Sequence, residues 1–164
     1  MSADEATLQG VADRRKRPRA QLSLKGRALR LLARREHSRA ELRRKLLVED
    51  VSEDALDAVL DDLEAKCLLS DRRYAESVAH SKGARQGFAS VARSLSQQGV
   101  SPQVAAEALA PLRANERERA MAVWKRRFGE QPADLRERAR QHRFLLGRGF
   151  APSTVSWVLK QSSE

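Results

Sequence analysis

The chain has 164 residues, enough for one ordinary domain or for several small units that share a continuous core. Charged residues make up 33% and aromatics only 4%, a balance that favours helices and excludes a sheet, which needs β-branched and aromatic side chains. Lys plus Arg outnumber Asp plus Glu by 32 to 22, a net charge of +10 that points to a polyanionic or acidic partner, and the single Cys67 excludes an internal disulfide or thiolate cluster.

Residues 1–21 show no apolar periodicity and end in Arg14, Arg15, Lys16, Arg17, Pro18 and Arg19, where like charges repel and proline blocks a helix; they read as a mobile basic arm. From Leu24 a helical period begins, with Leu24, Ala28, Leu31 and Leu32 in one stripe. Ser38 and Glu41 have the spacing of a capping box, in which hydroxyl and carboxylate each satisfy a backbone N–H, and Leu42 and Leu46 follow on the inner face. Ser52 caps a third helix whose Leu56, Val59, Leu60, Leu63 and Cys67 recur as one buried face.

The pattern returns twice. Asp71 opens a helix through Tyr74, Ala75 and Val78; Gly87 precedes one through Phe88, Val91, Ala92 and Leu95; and Ser101 with Pro102 starts one through Val104, Ala105, Ala108, Leu109 and Leu112. The third round has Ala120, Val123, Trp124 and Phe128, then Leu135, Ala139, Leu145 and Leu146, then Pro152, Val155, Val158 and Leu159. Leu46, Val51 and Leu60 reappear as Leu95, Val100 and Leu109 after 49 residues, and as Leu145, Phe150 and Leu159 after 50 more. Gly99 and Gly149 suit helix ends in the left-handed conformation. The expected fold is all-α: three tandem three-helix repeats over 22–68, 69–112 and 113–164, about nine helices in an elongated, curved array.

Charge is uneven along this frame: residues 1–36, 37–69, 70–112 and 113–164 carry +6, −4, +2 and +6. No run of about 18 apolar residues is present to span a bilayer, and the first residues lack the apolar stretch of a signal peptide, so the expected compartment is the cytoplasm.

Four segments, in order, resemble the RecX family. Ser38, Glu41, Leu42, Lys45 and Leu46 fit its Ser-x-x-Glu-Leu-x-x-Lys-Leu pattern, and Asp71 through Ala75 resembles its Asp followed by Arg-Tyr/Phe-Ala. Gly87, Val91, Leu95, Gly99 and Val100 fit its Gly-x-x-x-Ile-x-x-x-Leu-x-x-x-Gly-Val, and Arg143 to Phe150 resembles its Arg-Phe-Leu-x-x-Arg-Gly-Phe. Ser94 stands where an acidic residue is common, and Glu49 and Asp50 where Lys-Gly is usual. The resemblance implies a non-enzymatic regulator without a cofactor, which lies along a RecA filament on single-stranded DNA. It implies inhibition of recombinase, ATPase and co-protease activities, and hence control of DNA repair and the SOS response.

The residues themselves offer no catalytic constellation. His37, His80 and His142 fall in separate units without metal-ligand spacing and are expected on helix surfaces. Gly83 to Gly87 lacks the Gly-Lys-Ser/Thr ending of a phosphate-cradling loop. Asp54, Asp57, Asp61 and Asp62 lie opposite Leu56, Leu60 and Leu63, as a solvated face open to a basic partner.

The cations are the stronger candidates. Arg43, Arg44, Lys45, Arg72, Arg73, Lys82, Arg85, Lys125, Arg126, Arg127, Arg140, Arg143 and Arg148 put positive charge on the polar side of every unit, as candidate contacts to RecA or DNA. The aromatics sit in core-like phases, so nucleic-acid binding is expected to follow the backbone of single-stranded and also double-stranded DNA, with strong salt dependence. The expected unit of action is a monomer without a membrane anchor. Three short helices with glycine turns also suit a helix-turn-helix-like repressor, although no dimerisation element is evident, and a scaffold for acidic proteins is a third reading.

Overall fold

A computed structural model describes residues 22–48 and 51–161, so the arm expected over 1–21 lies outside the described residues. Among the described residues the chain forms nine α-helices and no strand. They are α1 (Leu24–Leu32), α2 (Arg39–Leu46), α3 (Glu53–Ala65), α4 (Asp71–Gly83), α5 (Phe88–Gln97), α6 (Pro102–Ala114), α7 (Glu116–Arg127), α8 (Leu135–Gly147) and α9 (Pro152–Gln161).

Side-chain caps set most of the helix starts. Ser23, Ser38, Ser52, Ser70 and Ser101 each accept from a backbone N–H three residues on, at 3.0 to 3.3 Å. Asp134 does the same for Glu137 N at 2.7 Å. Pro102 occupies the first position of α6, where no N–H is needed.

Each triplet buries its own core. Ala28, Leu42, Leu46, Leu56, Leu60, Leu63 and Leu69 fill the first. Tyr74, Ala75, Ala79, Val91, Leu95, Val100 and Leu109 fill the second. Ala120, Val123, Trp124, Leu145, Phe150, Val155, Val158 and Leu159 fill the third. Three cores replace the continuous one that chain length alone allowed, and the main helix packing stays inside the triplets: α1 with α2 and α3, α4 with α5 and α6, α7 with α8 and α9.

Three local expectations are corrected. Cys67 does not continue the buried face: α3 stops at Ala65, and Cys67 adopts φ 55° in a turn where Leu68 N donates to Leu63 O at 2.8 Å, which leaves the thiol exposed. Leu135 is 85% exposed, because the inner line of α8 runs through Gln141 and Leu145 and Leu135 falls on its flank. The helix expected to open at Asp71 does so, with Ser70 as its cap and the Asp71 carboxylate accepting from Arg39 N at 2.7 Å across the unit boundary. The capping box at Ser38 is half formed: its hydroxyl accepts from Glu41 N, but the Glu41 carboxylate turns to Arg35 and Lys45.

The same joint is used twice. The start of α2 meets the end of α5, with Ser38 Oγ donating to Gln98 O at 2.6 Å, and the start of α5 meets the end of α8, with Gly87 N donating to Arg148 O at 2.8 Å. Close backbone approach requires glycine at both. A Cβ on Gly87 would fall 2.2 Å from Gly149 O, and one on Gly99, whose φ is +75°, 2.5 Å from Ala40 Cβ. Successive units are thereby joined through equivalent positions of the repeat, as in other repeat arrays.

Candidate protein and nucleic-acid interface

The structure divides the thirteen candidate cations into three groups. In the first unit they turn inward to acidic neighbours. Arg43 bridges to Glu53 at 2.8 Å and Asp57 at 3.2 Å, and Lys45 to Glu41 at 3.1 Å. Arg39, with Asp61 at 2.7 Å and Glu64 at 2.6 Å, completes a network along α3. Of the acidic face expected to await a basic partner, Asp57 and Asp61 are met by the protein's own α2, and Asp62 by Lys25 and Lys66.

The second group lies around the first two units. Arg44 donates to Gln98 Oε1 at 2.5 Å and Arg73 pairs with Glu36 at 2.9 Å, both across the boundary. Arg72 pairs with Glu76 at 3.1 Å within α4, and Lys82 donates to Ser94 Oγ at 2.6 Å. Exposed pairs of this kind contribute little to stability and exchange readily for another anion. Arg85 is exposed with no partner among the described residues.

The third unit brings its cations together. Phe128 and Phe144 pack edge to face with ring centroids 5.2 Å apart. Arg127 and Arg140 lie 5.9 and 5.5 Å from the Phe128 centroid, and Arg148 lies 5.1 Å from that of Phe144. Arg140 also pairs with Glu137 at 3.4 Å. Arg143, in the turn of α8 between Arg140 and Arg148, is exposed with no partner among the described residues, as are Lys125 and Arg126 on α7. A guanidinium resting on a ring face loses side-chain freedom while its N–H edges remain available, which suits a phosphate oxygen or a carboxylate.

Two joint residues were not singled out by periodicity. Arg119 on α7 donates to Gly83 O, Gln86 O and Leu112 O at 2.5, 2.7 and 2.6 Å, tying the third unit to the ends of α4 and α6. Burial lowers its pKa, with Glu116 acting in the opposite direction. Glu116 in turn accepts from Phe88 N at 3.1 Å, Ala151 N at 3.3 Å and Thr154 Oγ1 at 2.9 Å, serving the starts of both α5 and α9. Both residues contact backbone of helices distant in sequence, and a one-helix pattern carries no signal of that.

The histidine expectation is corrected at one position. His37 is buried, immediately ahead of α2, with Nδ1 3.0 Å from Glu41 Oε2 but no well-directed hydrogen bond between them. His80 is exposed and His142 half-buried. No helix among the described residues is long and apolar enough to cross a membrane.

Comparison with known proteins covers the whole of this frame. The models of the first, second and third RecX three-helix domains match residues 25–63, 70–109 and 115–159. The chain is 51% identical to the regulatory protein RecX of Leptothrix cholodnii, over 87% of this chain and 90% of that one. It is 49% identical to the regulatory protein RecX of Ralstonia nicotianae over the same shares. The crystal structure of RecX from Lactobacillus salivarius superposes with a TM-score of 0.74 over 85% of this chain and 94% of that one, at 21% identity, a likeness of fold. Three family domains in order, on three repeated helical triplets, place this chain in the RecX family of regulatory proteins.

Proposed function

We propose that this protein acts in the cytoplasm as a monomer, without a cofactor or a reaction of its own, by binding RecA filaments on single-stranded DNA and restraining them. The restrained activities are recombination, ATP hydrolysis and co-protease function, so that DNA repair and the SOS response are regulated together. Family membership supports the RecA partner. The observation that carries the contact chemistry is the Phe128–Phe144 pair with Arg127, Arg140 and Arg148 held over its rings.

Phosphates repeat along a DNA strand, and an end-to-end array presents cations at successive positions. The third unit supplies the ordered guanidiniums, with Lys125, Arg126 and Arg143, unpaired among the described residues, on the same two helices. Arg85 adds a charge unpaired among the described residues in the second unit, and Arg43, Arg44, Lys45, Arg72, Arg73 and Lys82 exchange their present partners for phosphate or RecA carboxylates. Such binding is backbone-led, weakens steeply with salt and reads little sequence on single-stranded or double-stranded DNA.

Arg143→Glu combined with Arg148→Glu tests this reading. Both side chains are exposed, so helicity by circular dichroism at 25 °C should match the parent while inhibition of RecA falls by about ten-fold or more, as loss of two phosphate contacts implies. Undiminished inhibition by the folded double variant would remove the cluster from the contact.

A further inference from the structure

The helix α6 is apolar on two sides. Val104, Ala105, Ala108, Leu109 and Leu112 face the second core, while Ala106, Ala110 and Ala114 are exposed on the opposite side. An apolar outer face is ordinarily covered. These three alanines, with Phe88 and Arg113, line a groove of about 300 Å³, and Arg113 Cζ stands 4.3 Å from the Phe88 ring centroid.

The internal repeat shows what this groove lacks. Shifted by 49 residues, Phe88 takes the place of Arg39, Ala106 of Asp57, Ala110 of Asp61 and Arg113 of Glu64. In the first unit those positions are closed by charge, with Arg39 reaching Asp61 at 2.7 Å, Glu64 at 2.6 Å and Asp57 at 3.8 Å. In the second unit two carboxylates have become methyl groups, the spanning arginine has become an aromatic ring, and the one cation has moved to α6. The same depression is self-satisfied in one repeat and open, apolar and cationic in the next.

From this contrast we infer that the α5–α6 groove docks an acidic, apolar peptide segment of a protein partner. An apolar side chain of the segment sits on the alanines and Phe88, and a neighbouring carboxylate meets Arg113. Charge selects this occupant. Arg113 is the one charged residue of the lining, and Glu107, hydrogen-bonded by Gln103 at 3.4 Å, is the only carboxylate on α6. The chain's own residues 1–13 hold Asp4, Glu5 and Asp13 without a Lys or Arg, so shifts at the groove amides on removal of residues 1–13 would assign the groove to that segment and overturn the inference of a protein partner. This groove is separate from the Phe128–Phe144 cluster, so its failure would leave the DNA contact standing.

The test is a titration of the ¹⁵N-labelled full-length protein with a short synthetic peptide in which glutamates alternate with leucine and phenylalanine. A control peptide of equal charge carries serine in place of leucine and phenylalanine. The expected result is amide shifts at Ala106, Ala110, Arg113 and Ala114, with the apolar peptide binding about ten-fold tighter than the serine control, as seating of one apolar side chain implies. Ala106→Gln with Ala110→Gln, at exposed positions where glutamine is a good helix former, should abolish that preference and leave helicity and single-stranded-DNA binding unchanged. Equal binding of the two peptides, shifts confined to other surfaces, or a preference retained by the double variant would overturn the inference. So would peptide-free shifts at these amides that grow with protein concentration, since a second copy would then fill the groove.

Discussion

Leu60 has no exposed surface and sits among leucines of α2 and α3, so its truncation removes contacts that the small first core cannot replace. Leu60→Ala should destabilise the protein by roughly 2 to 5 kcal/mol in denaturant unfolding, and a loss below about 0.5 kcal/mol would contradict its place in the core. Glu41 is held differently. Burial pushes its carboxyl pKa up, but hydrogen bonds from Arg35 and Lys45, with His37 beside them, outweigh burial and bring it from 4.5 down to about 2. Because the folded-state pKa is the lower one, this contribution is full above about 4.5 and is lost as the pH falls from there toward 2. Glu41→Gln should cost about 1 to 3 kcal/mol at pH 7, and the gap to the parent should narrow at pH 3. An equal gap at both pH values would show that the charge of Glu41 is immaterial. At this scale the apolar period made Leu42, Leu46, Leu60, Leu95 and Leu145 legible from sequence. Cys67, Leu135 and the Glu41 carboxylate were not, because a turn, a helix flank and a competing arginine decided them.

Helices and their order were readable because most starts have a hydroxyl, a carboxylate or a glycine, and the inner faces keep the helical period. The joints were only half readable. Gly99 and Gly149 marked where helices end and Gly87 where one begins, but the reason they must be small lies in the neighbouring unit, where Ala40, Ser90 and Gly149 O stand within 2.5 Å of an added Cβ. Arg119 was not singled out by its spacing, although its guanidinium satisfies carbonyls of α4, of α6 and of the turn before α5. Arg119→Met keeps much of the apolar stem and leaves those carbonyls without their donor. It should destabilise by about 1 to 3 kcal/mol and raise hydrogen exchange at Gly87 N and Ala89 N, whose bonds to Arg148 O and Gly149 O close the same joint. Unchanged exchange at those amides would show that the joint does not depend on Arg119.

Three separate cores joined end to end explain how a chain of 164 residues with few aromatics presents so much charged surface: each unit buries only what its own triplet needs. Most described carboxylates of the first unit pair with its own arginines and lysines, whereas the third unit, at +6 over residues 113–164, gathers cations on an aromatic pair. Composition showed the excess of positive charge but not this division, since which arginine meets which carboxylate depends on packing between helices. The family and the repeat were legible; the cluster around Phe128 and Phe144 was not, because both rings read as core. The most direct test of the filament reading is single-stranded-DNA-dependent ATP hydrolysis by the cognate RecA, titrated with this protein, beside a second titration with DNA in large excess. The account predicts inhibition at well below one molecule per RecA that survives the excess DNA; no inhibition, or inhibition that the added DNA abolishes, would contradict it.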